Sequence, residues 1–411
     1  MRLSTSQIYD KGLSSVIDRQ NKLVKVQDQI ARETKILTPA DDPAGKAQTL
    51  ALTDRIKQNE QFQKNSELVV NDLSRQDSFL SNINASLFRA KELFVQSGNG
   101  ALSADDRQAL ALEIEVLRDN ALDAMNSQSE NGDYLFSGYQ TEERPFNFDP
   151  ELGIYTYSGD QGAKRVQLTS SLSVQSSTPG SEAFDKTPMQ LKARVGNSTG
   201  DIVGGSSLVT DRATFNAYHA ANYDKTVTEN NQFRVEFNAA GDEYQIFRNN
   251  EGGADILVDT QPYVEGDPVE FNGMQLTVNG DTAGGSLEFR LSRPTGNVAT
   301  VLNDMLNILN DPSVSSADLS QAIEFGIADL DASLNSLGSA RAKIGSRLNS
   351  AETARLTNAD LSIANQDTRS RIQDVDYAEA MTELVKQDTA LQAAQATFTR
   401  ITRLSLFDYL R

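Results

Sequence analysis

The chain has 411 residues, enough for two to four domains at roughly 100 to 200 residues each, and its 38% apolar and 23% charged content is that of a folded protein. Lys and Arg number 38 against 57 Asp and Glu, and the net charge of −19 argues against nucleic acid and anionic membrane as partners. The absence of cysteine removes disulfides, thiolate catalysis and Cys-ligated zinc, and a single histidine, His219, cannot form a multi-histidine metal site.

From the N-terminus, Met1 to Gln7 lacks the apolar run of a secretory signal, and no stretch approaches the ~20 apolar residues of a membrane span, so a soluble chain without a cleavable signal is expected. Leu13, Val16, Leu23, Ile30 and Leu37 fall on alternating three- and four-residue spacings, with Gln20, Gln27 and Thr34 in the remaining positions. That is an incomplete coiled-coil stripe, weak alone and better satisfied between subunits of an assembly. Residues 1–37 hold seven basic and four acidic side chains. Asp41 and Asp42 follow between Pro39 and Pro43, with Gly45 close behind. Adjacent carboxylates could hold a cation or do acid–base chemistry, but just ahead of a long helix they predict a cap.

Lys46 to Ser97 runs 52 residues without Gly or Pro. Its stripe of Leu73, Leu80, Ile83, Leu87, Ala90 and Phe94 predicts a helix about 80 Å long. Ser103 and Asp106 read as the cap of a third helix carrying Leu110, Ile114, Leu117, Ala121 and Ala124. The middle is different, since 19 of 26 glycines lie between Gly132 and Gly296 and eight of ten prolines between Pro145 and Pro312. It predicts strands. Val269–Phe271 and Met274–Val278 flank Asn272-Gly273, the signature of a type I′ hairpin. Phe233–Phe237 and Leu287–Leu291 alternate apolar and polar, and Tyr155–Tyr157 with Val166–Leu168 suggests a separate, earlier hairpin. His219 has no triad partner near it and predicts a structural or exposed histidine rather than a catalytic one. Toward the C-terminus, Leu330, Leu334, Leu337, Ile344 and Leu348 make one stripe, and Met381, Leu384, Leu391 and Phe398 another, within a breaker-free run from Ser346 to Arg411.

The fold expected is α+β and discontinuous. Long helices from both chain ends form a coiled-coil or bundle rod that carries a β-hairpin and an inserted, mainly β outer domain. The expected divisions are a terminal assembly domain at 1–38 and 366–411, a helical domain at 39–183 and 295–365, and the outer domain at 184–294.

Four segments carry a resemblance. Thr38-Pro39-Ala40-Asp41-Asp42-Pro43-Ala44-Gly45-Lys46-Ala47 resembles the helix-to-helix loop of the flagellin superfamily. Asn131 to Gly138, with Tyr134, Leu135, Phe136 and Gly138, followed by Thr141 and Pro145-Phe146, resembles the hook-associated members rather than flagellin itself. Ala340 to Asn349 and Asp374 to Thr382 also match, so the resemblance brackets nearly the whole chain, although Val278 to Phe289 departs from the Gly-x-Pro pattern of related chains. The resemblance implies a structural adaptor between flagellar hook and filament, without catalysis, cofactor or metal. It implies as partners other copies of the chain in a ring or helical layer, hook-associated protein 1, flagellin and a cytoplasmic export chaperone. It also implies export through the hollow flagellum to an extracellular position. A filament-forming flagellin is the alternative within the superfamily, and a carboxylate-dependent enzyme in the middle domain the remote one.

Overall fold

A computed structural model describes residues 5–312 and 314–409. The outermost residues of the expected terminal domain lie outside the described residues. The chain divides into two compact units, one of residues 1–67, 167–173 and 351–411, the other of residues 68–166 and 174–350.

The first unit holds helix α1 (Thr5–Ala31), the start of α2 (Pro43–Ser97), the end of α6 (Ser316–Gln373) and α7 (Tyr377–Tyr409). Its core beneath α2 is Leu52, Ile56 and Phe62, and on α6 the small Ala351 and Ala354 are buried. The 167–173 loop is anchored from both helices. Asn65 donates to the Gln167 carbonyl and Asn358 to that of Leu168, each at 2.8 Å.

Two boundaries in this unit differ from the sequence reading. α1 ends at Ala31, so Leu37 sits in the connection after it. The breaker-free C-terminal run is also interrupted at residues 374–376, with neither Gly nor Pro to mark the break. The cause is a long-range pairing, an antiparallel bridge between Thr34 and Asp374.

In the second unit, α2 continues beside α3 (Ala104–Met125), α5 (Val298–Asn310) and α6. Leu73, Leu80, Ile83, Leu87 and Phe94 of α2 are fully buried, as are Ile114 of α3, Leu302 of α5 and Leu330 of α6. Ser103 and Asp106 form the expected capping box, Asp106 N–H donating to Ser103 Oγ at 3.1 Å and Ser103 N–H to Asp106 Oδ2 at 3.0 Å. Gly326, Gly338 and Gly345 do not interrupt α6, because packing along its length outweighs their propensity cost of about 1 kcal/mol each.

The earlier hairpin resolves into two strand pairs. β1 (Phe146–Asp149) pairs with β2 (Ile154–Tyr157), and β3 (Arg165–Gln167) with β4 (Ser173–Gln175), so Tyr155–Tyr157 and Val166–Leu168 are not partners. The short β5 (Thr187–Pro188) pairs with β14 (Thr295–Gly296) where the chain leaves for the outer region and returns.

Between them lie β6 (Ala193–Thr199), β7 (Ile202–Val209), α4 (Arg212–Asn222), β8 (Gln232–Phe237), β9 (Glu243–Arg248), β10 (Ile256–Pro262), β11 (Val269–Phe271), β12 (Met274–Gly280) and β13 (Ser286–Leu291). A five-stranded sheet runs β10-β9-β8-β13-β6 and a three-stranded sheet β11-β12-β7. Phe215, Phe233, Val235, Phe271, Leu276 and Phe289 fill the core they share. The β11–β12 turn is as expected, with Asn272 and Gly273 both at positive φ, 46° and 82°, as a type I′ turn requires. α4 is an addition to a middle that composition marks as strands.

Candidate assembly surface

α1 and α7 lie antiparallel. Along the facing sides, α1 turns Gly12, Val16, Arg19, Leu23, Val26 and Ile30 away from solvent, and α7 turns Ala380, Leu384, Gln387, Leu391, Ala394 and Phe398; Gln29, Glu383 and Ala390 flank them, half-buried. Both sets follow the four-three spacing of a coiled-coil seam. Phe398 packs its ring on Tyr9, centroids 5.1 Å apart, and over the Gly12 backbone. A polar layer crosses the middle, where Arg19 donates to Gln387 Oε1 at 3.4 Å, and such a layer favours one register over its neighbours.

Of the residues singled out in the sequence, Val16, Leu23, Ile30, Leu384, Leu391 and Phe398 lie half-buried in this seam, while Gln20 and Gln27 are exposed outside it. Arg19 and Val26 take the places assigned to them. Leu13 at 39% exposure and Met381 at 49% face solvent, and Leu37 is half-buried in the connection. Around Leu13 the exposed stripe continues through Tyr9, Ile17 and Val24; around Met381 it continues through Tyr377 and Val385, at spacings of four. A two-helix pair covers one face of each helix, so Leu13, Ile17, Val24, Met381 and Val385 stay largely exposed in the described chain.

The pair is tied where its helices end. Lys35 N–H donates to the Gln373 carbonyl at 2.9 Å and Val375 N–H to that of Glu33 at 3.3 Å, and the Tyr377 hydroxyl reaches Glu33 Oε1 at 3.1 Å. Beyond this joint the Asp41 carboxylate accepts from Lys25 Nζ at 2.5 Å and from the Thr38 backbone N–H at 2.8 Å. Those donors, the lysine foremost, hold it at about 2, well below the usual carboxylate range. Asp42 is the cap of α2, its Oδ1 accepting from Gly45 N–H at 2.8 Å. Pro43 opens the helix. A Cβ on Gly45 would stand 2.2 Å from Asp42 Oδ2, so the cap needs a glycine there.

Tyr134, Leu135, Phe136 and Gly138 belong to a node in the second unit. The Phe136 carbonyl accepts from Gly180 N–H at 2.7 Å and from the Tyr157 hydroxyl at 2.9 Å. Its ring meets Phe184 edge-on at 5.1 Å. Tyr134 N–H donates to the Thr141 carbonyl and Leu135 N–H to that of Ser127, and buried Gly138 closes the turn beside Asp160. Burial, with Asp160 nearby, pushes the Tyr157 hydroxyl up to about 12.

His219 is buried, bonds through Nε2 to the Ser292 carbonyl at 2.8 Å and stacks on Tyr223. Burial lowers its pKa, which keeps it neutral. Among the described residues no cluster of His, Asp and Glu is arranged to hold a metal, and no helix is long and apolar enough to cross a membrane.

Residues 3–141 match the bacterial flagellin N-terminal helical region and residues 321–410 the bacterial flagellin C-terminal helical region, over half of the chain between them. The chain belongs to the bacterial flagellin family. Within the family its likeness to flagellar hook-associated protein 3 extends along the full length. It is 24% identical to that protein of Salmonella typhimurium, over 100% of both chains, and 25% identical to that of Escherichia coli, over 99% of each. The crystal structure of hook-associated protein 3 from Legionella pneumophila superposes with a TM-score of 0.51 at 27% identity, covering 78% of this chain and 98% of that one. The stretch between the two flagellin regions contains the whole outer β region.

Proposed function

We propose that this flagellin-family chain is a structural adaptor subunit that joins the flagellar hook, through hook-associated protein 1, to the flagellin filament. The observation that carries this reading is the apolar stripe of Leu13, Ile17 and Val24 with Met381 and Val385, left exposed by the α1–α7 pair. Burying each such side chain between copies is worth about 1.5 to 3 kcal/mol, repeated in every subunit. The full-length likeness to hook-associated protein 3 supports a junction layer over a bulk polymer. On this reading the chain packs against itself in a ring or helical layer, is handed to export by a cytoplasmic chaperone and ends in the extracellular flagellum. Residues 1–38 and 366–411 form its assembly domain, and the chemistry is packing rather than catalysis.

Seeded polymerisation separates this from a filament-forming flagellin. Fluorescent chain added to isolated hooks that carry hook-associated protein 1 is expected to add a thin layer and stop. Growth that continues while monomer lasts would establish the filament former, and no addition at all would refute both.

A further inference from the structure

The outer region joins the helical part by two covalent crossings, which meet in the short β5–β14 strap. Beside it is a side-chain contact that spans long sequence distances. Arg194 of β6 pairs with both carboxylate oxygens of Asp304 on α5, and Lys192 Nζ reaches the same carboxylate at 2.6 Å. On α6, Asp329 accepts from Gln190 N–H at 2.6 Å, Gln321 bonds both the N–H and the carbonyl of Val209 at 2.8 Å, and Asp318 accepts from Ser206 at 2.9 Å. Phe325 supplies the apolar contact, buried in the β core with Arg212 over its ring at 4.8 Å. Asp318, Gln321, Phe325 and Asp329 recur at spacings of three, four and four, so one face of α6 makes all four contacts. Under β7 this interface is not close-packed. An open cleft of about 290 Å³ lies there, lined by Ser206, Met305, Ile308, Gln321 and Phe325 among others.

Beside that cleft Phe325 is the apolar contact, and the polar contacts at the rim add direction to it. We propose that the outer β domain is a hinged body, carried on the Thr187–Pro188 and Thr295–Gly296 strap and held at one angle by the Asp304 ion cluster and the polar face of α6. The Asp304 cluster is the stronger part of the clamp, because a bidentate guanidinium fixes direction as well as distance. The inference concerns the outer domain alone and does not depend on the junction reading.

A chain without cysteine can be labelled cleanly. Ala240→Cys in the exposed β8–β9 turn and Ser339→Cys on exposed α6 would carry spin labels, with the distance distribution read by double electron–electron resonance. The unmutated clamp is expected to give one narrow peak and Asp304→Glu to keep it, while Asp304→Ala loses the peak with far-UV dichroism unchanged. Since Asp304→Ala strands two cations, Ser206→Ala with Gln321→Ala is the charge-conserving second variant, with the same loss expected in part. A broad distribution before any substitution would overturn the clamp, as would a narrow peak retained in both variants. Loss of helical signal together with the peak in both variants would overturn the hinge, showing one cooperative body instead.

Discussion

Gly45 shows how one missing side chain can decide a sign. Glycine in a helix costs about 1 kcal/mol against alanine, so Gly45→Ala by propensity alone should stabilise. Here the new methyl would stand 2.2 Å from the Asp42 carboxylate and displace the cap of α2, a loss of about 0.5 to 2 kcal/mol with strain added. Net destabilisation by about 1 kcal/mol is expected in thermal unfolding. In an Asp42→Ala background the same substitution should become neutral or favourable, and an unchanged penalty there would mean the methyl clashes elsewhere.

Asp329 tests the electrostatics of the outer-domain interface. Burial raises its carboxyl to about 6, partly offset by the Gln190 N–H. A raised acid favours its protonated form in the folded state, so the cost is present above the folded value and fades as pH falls through about 6 toward the ordinary 3.8. Between pH 7 and pH 5 the chain should therefore gain about 1 kcal/mol relative to Asp329→Asn, which keeps an acceptor for Gln190. Asp304 has the opposite sign. Burial alone would raise it, but Arg194 and Lys192 hold it below its ordinary value, so its contribution is lost only at more acidic pH, outside this window. Parallel pH profiles for the two proteins would rule out the Asp329 cost.

Among elements, α1 and α7 separate two kinds of apolar position that sequence spacing treats alike. Leu391 lies in the seam toward α1, and Met381 faces outward. Leu391→Asp should loosen α7 from α1, exposing Lys386 and Arg400 to trypsin in the dilute monomer. Met381→Asp should leave the monomer's melting and cleavage unchanged while blocking addition to hook seeds. If the two behave identically, seam and outward stripe are not distinct. The registers were ambiguous in the sequence because Val16, Leu23 and Ile30 belong to both, and only the partner helix places Arg19 and Val26 between them. Breaks set by distant pairing were equally hidden, as at residues 374–376. The β11–β12 hairpin and the α3 cap were legible because their signals are local, two residues in one case and four in the other. The contacts of Asp304, Gln321 and Asp329 join residues more than 100 positions apart, and nothing in local composition marks them.

At the scale of the molecule, the outer β domain proposed at 184–294 can be tested by removal. Thr187 pairs with Gly296, so a short linker can close a deletion of residues 189–294 without spanning a gap. The deletion uncovers Phe325, and Phe325→Ser should accompany it to keep the product soluble. Helical dichroism per molecule should be nearly unchanged, since α4 is the only long helix among the residues removed. A cooperative loss of helix would instead mean that the β core and α6 form one folding unit. Glycines and prolines mark this stretch in the sequence as strands, yet nothing there signals that Phe325, beyond the proposed boundary, belongs to the β core.

The bridge between Thr34 and Asp374 has a mechanical consequence. Two covalent connections leave the α1–α7 pair at one level, and the hydrogen bonds exchanged there cross-link them. A pull applied to either helix is thus shared by two chain paths in parallel, each carrying part of the tension. Because the helices run antiparallel, sliding one along the other shears the whole seam at once instead of peeling it open layer by layer. The pair would yield to traction as a unit, late and abruptly, which on the proposed junction reading suits a part that is flexed again and again.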